Sequence, residues 1–165
     1  MFTVGILTIS DKGSRGERQD KSGEAIREIL SGMDVSVLNY DMVPDQKDAI
    51  IEKLIKWADE DNLDTVITTG GTGLTSRDVT PEATLAVVDR IVPGFAEAMR
   101  AESLKKTPHA MLSRAVVGTR GKCLIVNLPG SSKAVRECLQ VILPALPHAV
   151  ETLKDQAGEC GTAEA

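Results

Sequence analysis

Apolar positions along the chain fall into two alternating rhythms. Thr3-Val4-Gly5-Ile6-Leu7-Thr8-Ile9-Ser10 is short, β-branched and apolar on both sides, which predicts a buried strand. A polar loop is expected from Asp11 to Asp20. Ser22 then fits a helix N-cap, Ala25, Ile26, Ile29 and Leu30 form an apolar stripe, and Gly32 is the stop. Val35 to Leu38 starts a second strand that ends near Val43-Pro44. Ile50, Leu54, Trp57 and Ala58 recur at helical steps, which predicts a helix over 46–60 with Trp57 in the core. Thr65 to Thr69 is a third strand running into Gly70-Gly71-Thr72-Gly73. A helix follows Thr80, with Pro81 in its first turn. Pro93-Gly94 is expected to break the chain before a helix over 95–104. Ala115 to Gly118 and Cys123 to Leu128 predict a hairpin, and two helices follow, over 133–143 and 144–153. The small, polar tail from Gln156 is expected to be disordered, leaving 1–155 as the domain.

Strands alternating with helices predict an α/β fold: three layers, a mostly parallel sheet between helices, and one late β-hairpin. In such sheets ligands bind outside the carboxyl ends of the strands. Four segments fall there: Ser10-Asp11 onward, Val43-Pro44-Asp45, Gly70 to Asp78, and Asn127 to Ser131. Glycines and small polar residues concentrate in them.

Composition narrows the partners. At 165 residues the chain is one domain in size, and 42% hydrophobic with 26% charged residues is ordinary for a globular protein. The formal charge of −5 and four aromatic residues argue against nucleic acid, which demands clustered cations and stacking surfaces. No apolar run is long enough to span a bilayer, so no membrane partner is expected. The chain begins directly with strand-like sequence, from which no targeting peptide is expected. Cys123, Cys138 and Cys160 match no zinc spacing, and their odd number suggests the reducing cytoplasm. Each is expected to be structural or incidental.

Three loops invite a phosphate-binding reading, because glycine-rich backbone and helix N-termini attract anions. Gly16 to Ser22 ends in Lys-Ser like a P-loop, but has Asp20 where that motif needs glycine and is one residue short. Gly71-Thr72-Gly73-Leu74-Thr75-Ser76 imitates a dinucleotide fingerprint, but ends in Ser and follows the third strand. Read whole, 68–82 offers flexible backbone, hydroxyls, Arg77 to offset anionic charge and Asp78 to hold a hard cation. A plain loop capped by Asp78 or Thr80 is the alternative.

That run resembles the molybdopterin-binding fold of the molybdopterin adenylyltransferases: the MogA and MoaB type, and the corresponding domains of plant Cnx and animal gephyrin. The resemblance covers residues 3–153. It rests on Leu7-Thr8-Ile9-Ser10-Asp11, Gln19-Asp20-Lys21-Ser22-Gly23, Val43-Pro44-Asp45, the block from Thr69 to Thr84, Pro93-Gly94-Phe95, Met111-Leu112-Ser113-Arg114 and Asn127-Leu128-Pro129-Gly130-Ser131.

The resemblance implies an enzyme of molybdenum cofactor biosynthesis that transfers AMP from ATP to the terminal phosphate of molybdopterin and releases pyrophosphate. It implies Mg²⁺ at an acidic pair, Asp45 and Asp78, although Asp45 also stands where it could cap the next helix. It implies that Gly70, Gly71, Thr72 and Gly73 cradle a ligand, with Ser10 and Asp11 on the same edge. Pro93, Gly94 and Glu97 are implied near the adenosine. Asn127, Pro129, Gly130 and Ser131 are implied on a phosphate. Ser113 and Arg114 are implied around molybdopterin; a plain surface arginine is the alternative for Arg114, but its place in the Leu-Ser-Arg motif favours an anion partner. Arg77 and Glu82 complete the set, and Glu82 in a first helical turn also suits the helix dipole. The positive potential is expected from backbone N–H groups, Arg77, Arg114 and the metal. A homotrimer and a downstream molybdenum-insertion protein are the implied partners. A non-catalytic paralogue that only binds molybdopterin is the alternative.

Overall fold

The computed structural model describes residues 1–156. The tail expected to be disordered, with Cys160, lies almost wholly outside the described residues. Six strands form one sheet among them: β1 (Phe2–Ile9), β2 (Val35–Val43), β3 (Thr65–Thr69), β4 (Arg90–Ile91), β5 (Val117–Arg120) and β6 (Cys123–Leu128). Their spatial order is β2-β1-β3-β6-β5-β4. The first four strands in that order run parallel, and β5 and β4 run antiparallel to their neighbours. The predicted α/β sheet and late hairpin are both present, the hairpin closing between Arg120 and Cys123.

Because the sheet is buried on both faces, strand alternation creates two cores. On one face Val4, Ile6, Ile67, Leu124, Val126 and Leu128 pack under α2 (Lys21–Leu30), α5 (Pro93–Leu104), α6 (Ser132–Ile142) and α7 (Leu146–Leu153). On the other Leu7, Ile9, Val66, Cys123 and Ile125 meet α3 (Lys47–Ile55) and α4 (Thr80–Val87). Trp57 is core, 3% exposed, as predicted. Cys123 and Cys138 are free and buried, as expected of structural residues.

Several local expectations need correction. Asp11–Ser14 is a single helical turn, α1, because the Ser10 side chain accepts from Gly13 N–H and caps it. The cap of α2 is Asp20, not Ser22, since the Asp20 side chain accepts from Gly23 N–H. The helix predicted over 46–60 is α3 followed by a π-helical turn, Lys56–Glu60. Pro93-Gly94 does not break the chain: both residues open α5, where a proline loses no hydrogen bond. The two-residue strand β4 carried too little pattern to be predicted.

Gly5 shows how tightly the second core is filled. A Cβ there would lie 2.6 Å from the Trp57 ring and 2.7 Å from Leu63 Cδ1. Gly5→Ala should therefore destabilise the fold by about 1–3 kcal/mol through overpacking. The check is a lower urea midpoint at unchanged m-value.

Candidate active site

The carboxyl ends of β1, β2, β3 and β6 open into a cleft of about 600 Å³. Its floor is Thr8, Ile9, Thr69, Gly70 and Gly71; its walls are the 18–22 segment on one side and Gly130 to Ser132 on the other. Two helices aim their N-termini at it, α2 capped by Asp20 and α6 capped by Ser131. Each brings the positive end of a helix dipole, and its side-chain cap takes only part of the first-turn N–H set, so the cleft favours anions.

Glycine makes the floor possible. Gly70 and Gly71 have φ of +99° and +66°. A Cβ on Gly70 would collide with the Ile9 carbonyl, and one on Gly71 with the Thr80 hydroxyl. Thr80 fixes the turn by donating its hydroxyl to Gly70 O at 2.8 Å and its N–H to Gly71 O at 3.1 Å. Thr69 donates its hydroxyl to Pro129 O at 2.7 Å, tying the floor to the loop after β6.

Three acidic loops gather at one edge of this floor, Asp45 in the cleft and Asp11 and Asp78 in the loops beside it. Asp11 and Asp45 exchange backbone-to-carboxylate hydrogen bonds: Asp11 N–H donates to Asp45 Oδ2 at 2.8 Å, and Asp45 N–H to Asp11 Oδ1 at 3.0 Å. Asp45 is thus committed to Asp11 rather than to capping α3, whose N-cap is Gln46. Arg77 reaches back in a fork, donating Nε and Nη2 to Asp11 at 3.0 and 2.8 Å. Asp78 turns its Oδ2 inward, accepting from Thr75 N–H and hydroxyl, both at 2.9 Å. The other oxygens of Asp45 and Asp78 carry no protein hydrogen bond. Asp45 Oδ1 stands 3.3 Å from where a Gly71 Cβ would be, and Asp78 Oδ2 2.9 Å from where a Gly73 Cβ would be.

Burial raises the Asp45 carboxyl above the ordinary carboxylate range. The Asp11 N–H bond opposes the shift, and the Asp11 and Asp78 charges add to it. The Arg77 hydrogen bond holds Asp11 below its ordinary value. Asp45 therefore carries a cost of burial and of neighbouring negative charge that a cation beside it would relieve.

Arg114 fastens the 70–79 loop from outside. It donates Nε to Gly73 O at 2.7 Å and Nη2 to Asp78 O at 2.8 Å, pairs with Glu82, and gives its N–H to Thr72 O at 2.9 Å. Neither Arg114 as a surface arginine nor Glu82 as a dipole partner alone describes them. Arg77 and Arg114 spend their charge on Asp11 and Glu82, so they are not the cleft's open cations as expected. Among the described residues those are Arg18 and Lys21, whose side chains have no carboxylate partner.

The other predicted site residues divide. Ser10, Asp45, Gly70, Gly71, Gly130 and Ser131 line the cleft. Asp11, Thr72, Gly73, Arg77, Asp78, Glu82 and Arg114 form the adjoining loop assembly. Asn127 does not reach the cleft. It is fully buried, donating Nδ2 to Thr68 and Thr84 hydroxyls at 3.0 and 2.9 Å and accepting from Val116 N–H at 3.2 Å. Ser113 and Pro129 line a separate, mostly apolar pocket of about 220 Å³ between α5, α6 and the Pro108–Leu112 turn. Pro93, Gly94 and Glu97 open α5 beyond edge strand β4 and line neither pocket. Sequence reasoning missed Arg18, Lys21, Ser22 and Ser132 as lining residues. The signal was present in the Gly16 to Ser22 run, set aside because it is no P-loop, although its Lys-Ser does open a helix at the cleft.

Residues 5–148 match the family model described as a probable molybdopterin binding domain. A molybdopterin adenylyltransferase of Helicobacter pylori is 48% identical over 152 residues, covering 91% of this chain and 86% of the relative. One from Escherichia coli is 43% identical over 144 residues, covering 86% and 74%. The crystal structure of a molybdopterin biosynthesis enzyme, MoaB, from Thermus thermophilus superposes with a TM-score of 0.90 at 54% identity, covering 96% of this chain and all of that one.

Two predictions test this geometry. A raised Asp45 means that the folded state holds its proton more tightly than the unfolded state, so stability is lost as pH climbs from the ordinary carboxylate value through the raised one. Asp45→Asn removes that loss. The variant should melt higher than the parent at neutral pH, and the gap should close as pH falls below about 4. Thermal melts across pH check it. Arg114→Lys keeps charge but loses the fork. It should cost about 1–3 kcal/mol and speed amide hydrogen exchange at Asp78 and Thr80.

Proposed function

Because the chain belongs to the molybdopterin-binding-domain family that includes the adenylyltransferases, we propose that it is a nucleotidyltransferase of molybdenum cofactor biosynthesis, transferring AMP from ATP to the terminal phosphate of molybdopterin with release of pyrophosphate. One observation carries the reading. Asp45 lines the cleft against Gly71, and Asp78, distant in sequence, lies by Gly73 in the adjoining loop, near enough for its charge to act on Asp45; each keeps one oxygen without a partner among the described residues, beside a cleft otherwise built for anions.

The chemical problem is repulsion, since one phosphate must approach the α-phosphorus of a triphosphate. No general base is required, because a phosphate monoester is already ionised at neutral pH. What the protein must supply is positioning and charge stabilisation. Backbone N–H groups at the starts of α2 and α6 orient phosphate oxygens. Gly70 and Gly71, bare of side chains, let those oxygens come close to the chain. Ser10 and Ser131 are already used as caps, so their hydroxyls hold the wall in shape while their neighbours meet the ligand.

Magnesium fits this donor set. Two carboxylate oxygens are too few for a protein-only site, and no group of three or more His, Cys, Asp or Glu residues suited to a metal forms among the described residues. Two hard oxygens do suit an ion whose remaining ligands are phosphates and water. When bound, the ion would neutralise phosphate charge; Asp45 and Asp78 are the residues that would hold it. Asp11 keeps Asp45 aimed, and Arg114 keeps the loop of Asp78 in place.

The family resemblance also supports a cytoplasmic homotrimer that passes its product to a molybdenum-insertion protein. No helix among the described residues is long and apolar enough to cross a membrane.

Asp45→Asn and Asp78→Asn should each lower adenylylation by about 100-fold or more, on the scale of losing one charge-stabilising group. The assay supplies ATP, Mg²⁺ and molybdopterin and follows pyrophosphate and adenylyl-molybdopterin. Wild-type rates in either variant remove the metal role. Molybdopterin binding without turnover by the parent protein identifies the binding-only paralogue instead.

A further inference from the structure

Beside the cleft, one carboxylate receives four donors. Asp20 Oδ1 accepts from Gly23 N–H at 2.9 Å and from the Ser22 hydroxyl at 3.2 Å. Its Oδ2 accepts from the Thr8 hydroxyl at 2.7 Å and from the phenol of Tyr40. A helix cap needs only the backbone N–H. Two of the three extra donors come from different strands, Thr8 on β1 and Tyr40 on β2, so Asp20 ties the first turn of α2 to the sheet. Gly23 sits directly on this cluster: a Cβ there would collide with Asp20 and Tyr40 and lie 2.8 Å from Thr8 Oγ1.

Tyr40 is 40% exposed and does not line the cleft. Burial and the Asp20 charge push its phenol well above the ordinary range, so it remains a donor at any physiological pH. Asp20 itself lines the cleft, where a bare carboxylate would repel phosphate. With four donors its charge is turned inward. The same turn carries Arg18 and Lys21, both exposed and both lining the cleft.

We propose that Asp20 is a positioning residue: braced by Thr8 and Tyr40, it fixes the 18–22 wall so that Arg18 and Lys21 stand along the cleft and hold a substrate phosphate. The assignment of that phosphate to ATP or molybdopterin rests on the transferase reading; the anion contact does not.

Tyr40→Phe tests it, because the change removes one donor from Asp20 at a residue outside the cleft. Binding of inorganic pyrophosphate is measured by calorimetry alongside melting temperature, and KM and kcat are measured for adenylylation. Tyr40→Phe should weaken pyrophosphate binding about 3- to 10-fold, the scale of one hydrogen bond, and raise one KM similarly at nearly unchanged kcat. Whichever KM rises, for ATP or for molybdopterin, identifies the phosphate held. In a background already carrying Arg18→Gln and Lys21→Gln, adding Tyr40→Phe should change binding no further, since it acts through those cations. The proposal is overturned if Tyr40→Phe lowers the melting temperature while binding and KM stay put, if its effect persists in the Arg18→Gln/Lys21→Gln background, or if the parent protein does not bind pyrophosphate at millimolar concentration. Shifted pyrophosphate binding in a protein that forms no adenylylated product would leave the wall assignment standing and remove the transferase reading.

Discussion

The site depends on a close approach of backbone to backbone. Where β3 ends, Gly70 lies so near the Ile9 carbonyl of β1 that no side chain fits between them. The chain escapes only by two successive residues with positive φ, and Thr80 then closes the turn with its hydroxyl and its N–H. From that turn follow the bare floor, the path of the 70–79 loop over the strand ends and the placement of Asp78. Asp45 arrives independently on the end of β2 and is locked to Asp11 on the end of β1. The acidic groups meet because three strand ends meet.

Much of this was legible in the sequence, and the exceptions have a common cause. Strands β1, β3 and β6 are short runs rich in β-branched and apolar residues, buried along nearly their whole length as a doubly covered parallel sheet requires, and the polar loops after them mark the ligand edge. The short elements were not legible. The α1 turn is set by one serine cap, and β4 is held only by pairing with β5. Ser22 looked like a cap because residue type alone does not say which oxygen faces the free N–H groups. Asp20 wins by being tied to Thr8 and Tyr40, contacts that lie 12 and 20 residues away in the chain. Asn127 is turned away from the cleft for the same kind of reason. A polar residue in a glycine-rich loop motif looks available until its amide is found shared among β3, α4 and the 116 backbone.

The charge arithmetic also changes when the structure is laid over it. A net charge of −5 excludes a broad anion-binding face, yet the cleft itself is favourable to anions. The arginines that sequence reasoning placed there, Arg77 and Arg114, are neutralised by Asp11 and Glu82 and act as fasteners. The positive character comes from two helix N-termini and from Arg18 and Lys21 on the Gly16 to Ser22 run, which resembles a P-loop without being one. Acidic groups belong to this cleft as well: Asp45 lies in it with its carboxyl raised by burial and by the Asp11 and Asp78 charges.

Arg114 sits about forty positions from Gly73, yet it grips the carbonyls of Gly73 and Asp78, the carboxylate of Glu82 and, through its own N–H, the carbonyl of Thr72. Mechanically these two stretches are one piece. A substitution at Glu82 leaves the guanidinium its two carbonyls but takes away its counter-charge, and a substitution at Arg114 releases the loop at four points at most while leaving Glu82 a bare carboxylate.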